Sequence, residues 1–288
     1  MNPATRVDID PEAYHQMPGV SQSMLKLYDR DPGLFRERYV LGVQPAGAEA
    51  RHFQWGRDFE RLVFYDELPG ILIPQEVLSR SERDGTVSYS RRGAAWTEWK
   101  ERTEREHPGA RLLKQDEWES DVQPYLLARD QLREHGRALK LLDGQRHVVL
   151  TWEDEATGMP CKCQLDTVST WGVLTDLKTA QDASPEAFGK AIWNFGYHLQ
   201  AAWYRRAWQR LTGDLLPFTF VVVQTKPSYF CETYDLSPTW YQMADTQLAR
   251  AMRRLKESYD TNQWHTASFG RVTTLEPPPW AVKAVEAG

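Results

Sequence analysis

Residues 148–179 run through three short stretches of strand character in immediate succession, and the last carries the triplet Asp176-Leu177-Lys178. Residues 148–152 and 161–170 mix β-branched with polar side chains around a Thr157-Gly158 turn signal, which predicts a hairpin; residues 172–179 predict a third strand. Successive side chains leave a strand on opposite faces, so Asp176 and Lys178 share one face while Leu177 points into an apolar layer. Pairing of the second and third strands across the 169–172 turn brings Asp166 and Asp176 together at one end of the sheet. Two converging carboxylates can hold a divalent cation, and Mg²⁺ takes a few carboxylate oxygens while keeping several waters, as phosphate chemistry requires. A lysine beside them can orient or deprotonate a water and offset charge in the transition state. The plain alternative is a solvated ladder of Asp and Lys on one strand face.

A helix with Tyr197, Gln200 and Tyr204 follows. Asp166, then Asp176-Leu177-Lys178 and this helix together resemble the PD-(D/E)xK nuclease signature, and within it the phage-type exonuclease branch of RecE (exonuclease VIII) and phage lambda exonuclease. The resemblance covers residues 20–240 and is strongest over 151–204. It implies an α/β, restriction-endonuclease-like core: a small mixed sheet flanked by helices, with a helical insert. It also implies that Asp166, Asp176 and the backbone carbonyl of Leu177 ligate the metal, that Lys178 serves the nucleophilic water, and that Gln200 with Tyr197 or Tyr204 lies beside the scissile phosphate of DNA. No proline precedes Asp166, where Gln164-Leu165 stand, a departure the motif tolerates.

Residues 50–67 predict a helix, with Phe53, Phe59, Leu62 and Val63 near helical spacing. It contains Gly56-x-x-x-Glu60. In the exonuclease branch an acidic residue at this point reaches over the metal pair and the glycine lets the helix lie close, which makes Glu60 a third acidic candidate. Against it stands a solvated glutamate between Arg57 and Arg61. The resemblance further implies Mg²⁺ as cofactor with Mn²⁺ able to replace it, linear duplex DNA with an end as substrate, a homo-oligomer, a single-strand annealing protein as partner, and a phage or bacterial host. The same residues would serve a Cas4-like or repair endonuclease without an iron-sulfur cluster, and a non-catalytic DNA-binding module could keep the fold.

Composition bounds these readings. A chain of 288 residues with 41% hydrophobic and 26% charged residues suits one large domain, here residues 1–265, with a tail over 266–288. No apolar run nears the ~20 residues of a membrane span, and no basic segment precedes an apolar one at the N-terminus, so the expectation is an intracellular, cytoplasmic protein without membrane contact. Cys161, Cys163 and Cys231 are too few for a four-thiolate cluster and read as packing. The net charge of -5 gives no global attraction to DNA, so binding needs a local basic groove.

Elsewhere, residues 1–19 read as irregular, Ser21 or Ser23 as the N-cap of a helix, and Asp31-Pro32 as the start of another. Residues 44–49, 68–73 and 79–89 read as loops. Helices over 90–106 and 114–142 form the insert, about 90–143, whose Arg91, Arg92, Arg102 and Arg105 could touch phosphates but fit solvated faces better. Residues 185–211 read as one helix with two apolar stripes, with Trp193 and Trp208 buried; 215–225 and 228–236 as strands; 239–259 as a last helix.

Overall fold

In the computed structural model the described residues are 11–43, 51–266, 269–270, 272 and 274–286. The irregular stretches expected at 1–10 and 44–49 lie outside them. A five-stranded sheet runs in chain order: β1 (Gly144–Glu153), β2 (Pro160–Ser169), β3 (Leu174–Ala180), β4 (Phe218–Gln224) and β5 (Cys231–Asp235). β3 and β4 pair in parallel and every other neighbour is antiparallel, so the sheet is mixed. The parallel pair needs a crossover, and helices supply it.

Helices cover both faces. On one, α1 (Gln22–Arg30), α5 (Pro185–Phe195), α6 (Tyr197–Thr212) and α7 (Pro238–Thr261) close a core of Leu25, Phe188, Trp203, Phe220, Val222 and Leu255. On the other, α2 (Arg51–Tyr65), α4 (Gln123–Glu134) and a short helix Gly136–Leu141 pack Phe59, Leu62, Leu132 and Leu141 onto Val221 and Val223. β4 is therefore apolar on both sides along residues 220–223, which read as an unbroken apolar run. Much of the insert thus serves as the sheet's second cover. Only α3 (Ala94–Glu106), with Trp99 against Ile73 and Leu78, forms a cluster of its own.

Several elements differ from the sequence reading. The helix expected over 185–211 is two helices, because Gly196 takes φ 68 and ends α5. That left-handed turn resets the phase of the stripes: Trp193 is half exposed and Trp208 only part-buried. The 79–89 loop is a hairpin, Ser79–Arg83 with Thr86–Ser90, turned by Asp84-Gly85, both at positive φ. Pro11–Gln16, read as irregular, and Pro279–Glu286, read as part of a tail, are short helices. Ser21 does cap α1, its hydroxyl accepting from Met24 N.

Candidate active site

β2 and β3 pair over only two positions, Thr167 with Thr175 and Val168 with Leu174, and then part. Beyond the fork the free edge of β2 is taken by the chain ahead of α1: Val20 N donates to Pro160 O at 2.8 Å and Lys162 N to Val20 O at 2.9 Å. Asp166 and Asp176 stand at the first step past the last pair. The amide of Leu177, which has lost its partner strand, donates to Asp166 Oδ2 at 2.9 Å. A strand residue sends its N–H and C=O to the same side, so the Leu177 carbonyl faces the fork as well.

Asp176 is wholly buried. Its Oδ1 accepts from Gln200 Nε2 at 2.6 Å, and its Oδ2 touches the Lys178 ammonium as an ion pair without a well-directed hydrogen bond. Gln200 Nε2 also donates to Tyr204 Oη at 3.1 Å. The amide expected to face substrate thus holds Asp176. Lys178 Nζ lies 5.0 Å from the centroid of the Tyr197 ring, which packs on Phe188 and Phe220. The early helix lies close at Gly56, though a Cβ there would rest in ordinary contact 3.4 Å from Thr179 Oγ1, beside Lys178, so glycine is not required; one turn on the same helix carries Glu60 to the site.

Electrostatics link these groups. Burial, then repulsion from Glu60, pushes Asp166 up to about 7; burial, then repulsion from Asp166, does the same for Asp176. Burial and the charge of Asp176 also raise Glu60, against the pull of Lys178 and Arg57. Lys178 loses hydration, yet Asp176 and Asp166 outweigh that loss and raise its pKa, so it stays an ammonium. Three carboxylates thus share the field of one part-buried lysine, with Arg57 acting on Glu60 from α2. All-oxygen donors with surplus negative charge fit a hard divalent cation. Among the described residues no three His, Cys, Asp or Glu side chains are already gathered closely enough to encage an ion, so the fit rests on the aspartates and the Leu177 carbonyl, with Glu60 reaching in from α2.

The site opens to a cavity of about 770 Å³ whose walls include Glu60, Asp166, Arg57, Ser21, His147 and Tyr204. Lys26 and Arg30 of α1 sit on the Lys178 side, and burial first, then the charges of Arg30 and Lys178, lower the Lys26 pKa. Lys26 Nζ donates to Phe195 O at 2.7 Å. Sequence reading did not single out Lys26, Arg30 or His147. The two cations lie on a helix read from its cap and its apolar positions, and His147 falls just before the strand expected over 148–152, within the longer strand Gly144–Glu153. By contrast Arg91 is tied into the insert, donating to Leu112 O at 2.9 Å and paired with Glu117. Cys161, Cys163 and Cys231 are buried thiols in the cores, and burial pushes Cys161 and Cys231 up to about 12.

The family profile described as "PDDEXK-like domain of unknown function (DUF3799)" matches residues 96–270, more than half the chain. The chain belongs to this family. The match contains every site residue above except those contributed by α1 and α2, Glu60 among them. As a DUF3799 member the chain has a PD-(D/E)xK-like nuclease-superfamily fold: a small mixed α/β sheet flanked by helices, with an extra helical insert. A crystal structure from Eubacterium rectale, named "Putative exonuclease", superposes with a TM-score of 0.60 over 97% of this chain and 99% of its own, at 14% identity, a likeness of fold. No curated protein matches the chain. No described helix is long and apolar enough to cross a membrane.

Proposed function

We propose that this DUF3799 chain is a Mg²⁺-dependent DNA exonuclease of phage recombination type, similar to the RecE branch, that degrades one strand of linear duplex DNA from its end. The observation that carries it is the fork: Asp166 and Asp176 flank the point where β2 and β3 part, and Lys178 and Gln200 are fixed on Asp176. A solvated Asp/Lys ladder would leave these side chains in water, and Asp176 has none. Asp166, Asp176, the Leu177 carbonyl and Glu60 would hold the cation, which supplies Lewis-acid neutralisation of the phosphate. Lys178, kept charged by its carboxylate neighbours, orients the attacking water and offsets charge on the scissile phosphate; its raised pKa favours this over proton abstraction. Gln200 fixes the Asp176 carboxylate, and Tyr204 fixes Gln200. Lys26, Arg30 and Arg57 supply the local positive charge that a net charge of -5 does not, Tyr204 lines the cavity through which DNA would approach, and Tyr197 supports Lys178 from beneath. Mn²⁺ should replace Mg²⁺. A homo-oligomer and a single-strand annealing partner belong to the same reading.

The test offers one DNA sequence as linear duplex and as covalently closed circle, with Mg²⁺. Loss of the linear form with survival of the circle is expected, and end labels then give polarity. Cutting of the circle would favour a repair-type or Cas4-like endonuclease without an iron-sulfur cluster. Binding of metal and DNA without cleavage would favour a non-catalytic DNA-binding module.

A further inference from the structure

His147 lies inside β1 at φ 47, in the left-handed region that a non-glycine residue rarely takes and almost never within a strand. Its neighbours are regular: Arg146 pairs with Thr167 and Val148 with Leu165, in one continuous register. The single unpaired step of that ladder is His147 opposite Asp166. At the same point β2 shifts its alternation. Cys161, Cys163 and Leu165 point into the α6-side core, and the next residue to pack there is Val168. A local break of this kind re-aims a side chain, and breaks of the ladder concentrate beside active sites.

The imidazole is equally placed. It is buried on the cavity wall shared by Glu60 and Asp166, with Nδ1 3.7 Å from Glu60 Oε1. Tyr65 stacks on it at 5.7 Å and 8° between planes, and Phe64 meets its edge at 5.6 Å and 84°. Both rings belong to α2, the helix that carries Glu60. Strand and helix meet through Arg146, which donates to Phe64 O, and through His147, which stands opposite the unpaired Asp166 and whose ring faces the third carboxylate.

We infer that His147 is a positioning residue of the carboxylate site, holding Glu60 toward Asp166 through Nδ1 so that the acids close on a divalent cation together. This rests on the metal-site reading above. Partners of this kind beside a ligand are worth ten- to about a hundred-fold in metal affinity.

The experiment uses the full chain and Mn²⁺. His147→Gly keeps the left-handed backbone and removes the ring; His147→Asn also tolerates that backbone and returns a donor near the place of Nδ1. Calorimetric titration should show Mn²⁺ bound about tenfold more weakly by His147→Gly, with His147→Asn recovering most of the loss. Glu60→Gln should weaken binding similarly, and the double variant Glu60→Gln, His147→Gly should be no weaker than Glu60→Gln alone, because one residue acts through the other. Wild-type affinity in His147→Gly, or penalties that multiply in the double variant, would overturn the assignment. A metal-free readout separates this from failure of the metal reading: the ¹⁵N resonance of His147 Nδ1 should move on Glu60→Gln at fixed pH. An unmoved resonance defeats the pairing whether or not metal binds. Absence of Mn²⁺ binding by the wild type, with the resonance moved, defeats the metal reading and leaves the pairing in place.

Discussion

Two lysines on neighbouring strands, Lys162 buried and Lys178 mostly so, are held in opposite ways. Lys162 of β2 is surrounded by neutral carbonyls: its Nζ donates to Tyr14 O at 2.9 Å, His15 O at 3.1 Å and Met17 O at 2.6 Å, and burial lowers its pKa. These are carbonyls of the N-terminal segment, so Lys162 ties the short helix Pro11–Gln16 to the sheet. Lys178 of β3 meets carboxylates instead, and they raise its pKa despite burial. The first arrangement gives three carbonyls one shared donor, Tyr14 O also accepting from Met17 N at 3.2 Å. The second sets an ammonium on the wholly buried Asp176 and in the field of Asp166 and Glu60, more negative charge than stability alone calls for. Such imbalance is what separates a site from a strut.

The largest effect expected is on turnover. Lys178→Ala should slow degradation of linear duplex by roughly 10²–10³-fold while DNA affinity, measured in Ca²⁺, stays near wild type. Lys162→Met, assayed well below its melting temperature, should keep most of its turnover. Similar losses in both variants would erase the distinction between the two lysines.

Stability should divide them the other way. Lys162→Met removes the ammonium that three carbonyls share, leaving Tyr14 O its bond from Met17 N and the other two without that donor, and should cost about 1–3 kcal/mol, read as a lower Tm in thermal unfolding. A melt within a degree of wild type would make Lys162 a bystander.

The carboxylates should also show in the pH dependence of stability without metal. Asp166 and Asp176 titrate near 7 when folded, against an ordinary 3.8. Between these values the folded protein binds more protons than the unfolded chain, so stability should fall as pH rises from about 4 to about 7 and level off beyond. Mg²⁺ should raise Tm most at the upper end of that window, where the carboxylates are charged. A Tm that climbs steadily across it without metal would contradict the buried surplus.

The smallest effect concerns the break that brings Tyr197 under Lys178. Gly196→Ala puts a Cβ 3.0 Å from Lys26 Cδ at φ 68, and should cost about 1 kcal/mol with a modest loss of rate. An unchanged Tm would show that α5 and α6 accept the residue without strain.

Much of this was legible before any coordinates. Mixed β-branched and polar residues marked β1 and β2, the apolar run 220–223 marked β4, and the aspartate spacing with Lys178 marked residues that meet at the candidate site. What escaped depended on tertiary context. The early end of the β2–β3 ladder has no local signal, since Thr167 and Thr175 look no different from the residues that pair further along other strands. Gly196 sits inside a helical pattern, and such a glycine is as often tolerated as terminal. Asp84-Gly85 is a sound turn signal, but its flanks, Ser79–Arg83 and Thr86–Ser90, are too polar to show alternation. His147 adopts its backbone because Phe64, Tyr65 and Glu60 receive its ring, and none of them is near it in sequence.

The most direct measurement of the central claim is a calorimetric titration of Mg²⁺ and Mn²⁺ into wild type, Asp166→Asn and Asp176→Asn, each checked for a cooperative melt. Asparagine keeps the shape of the side chain and removes the charge. Binding to the wild type and a sharp loss of affinity in both folded variants is the expected result. Unchanged affinity in both would place any bound metal elsewhere and leave the fork as a buried polar knot without a catalytic role.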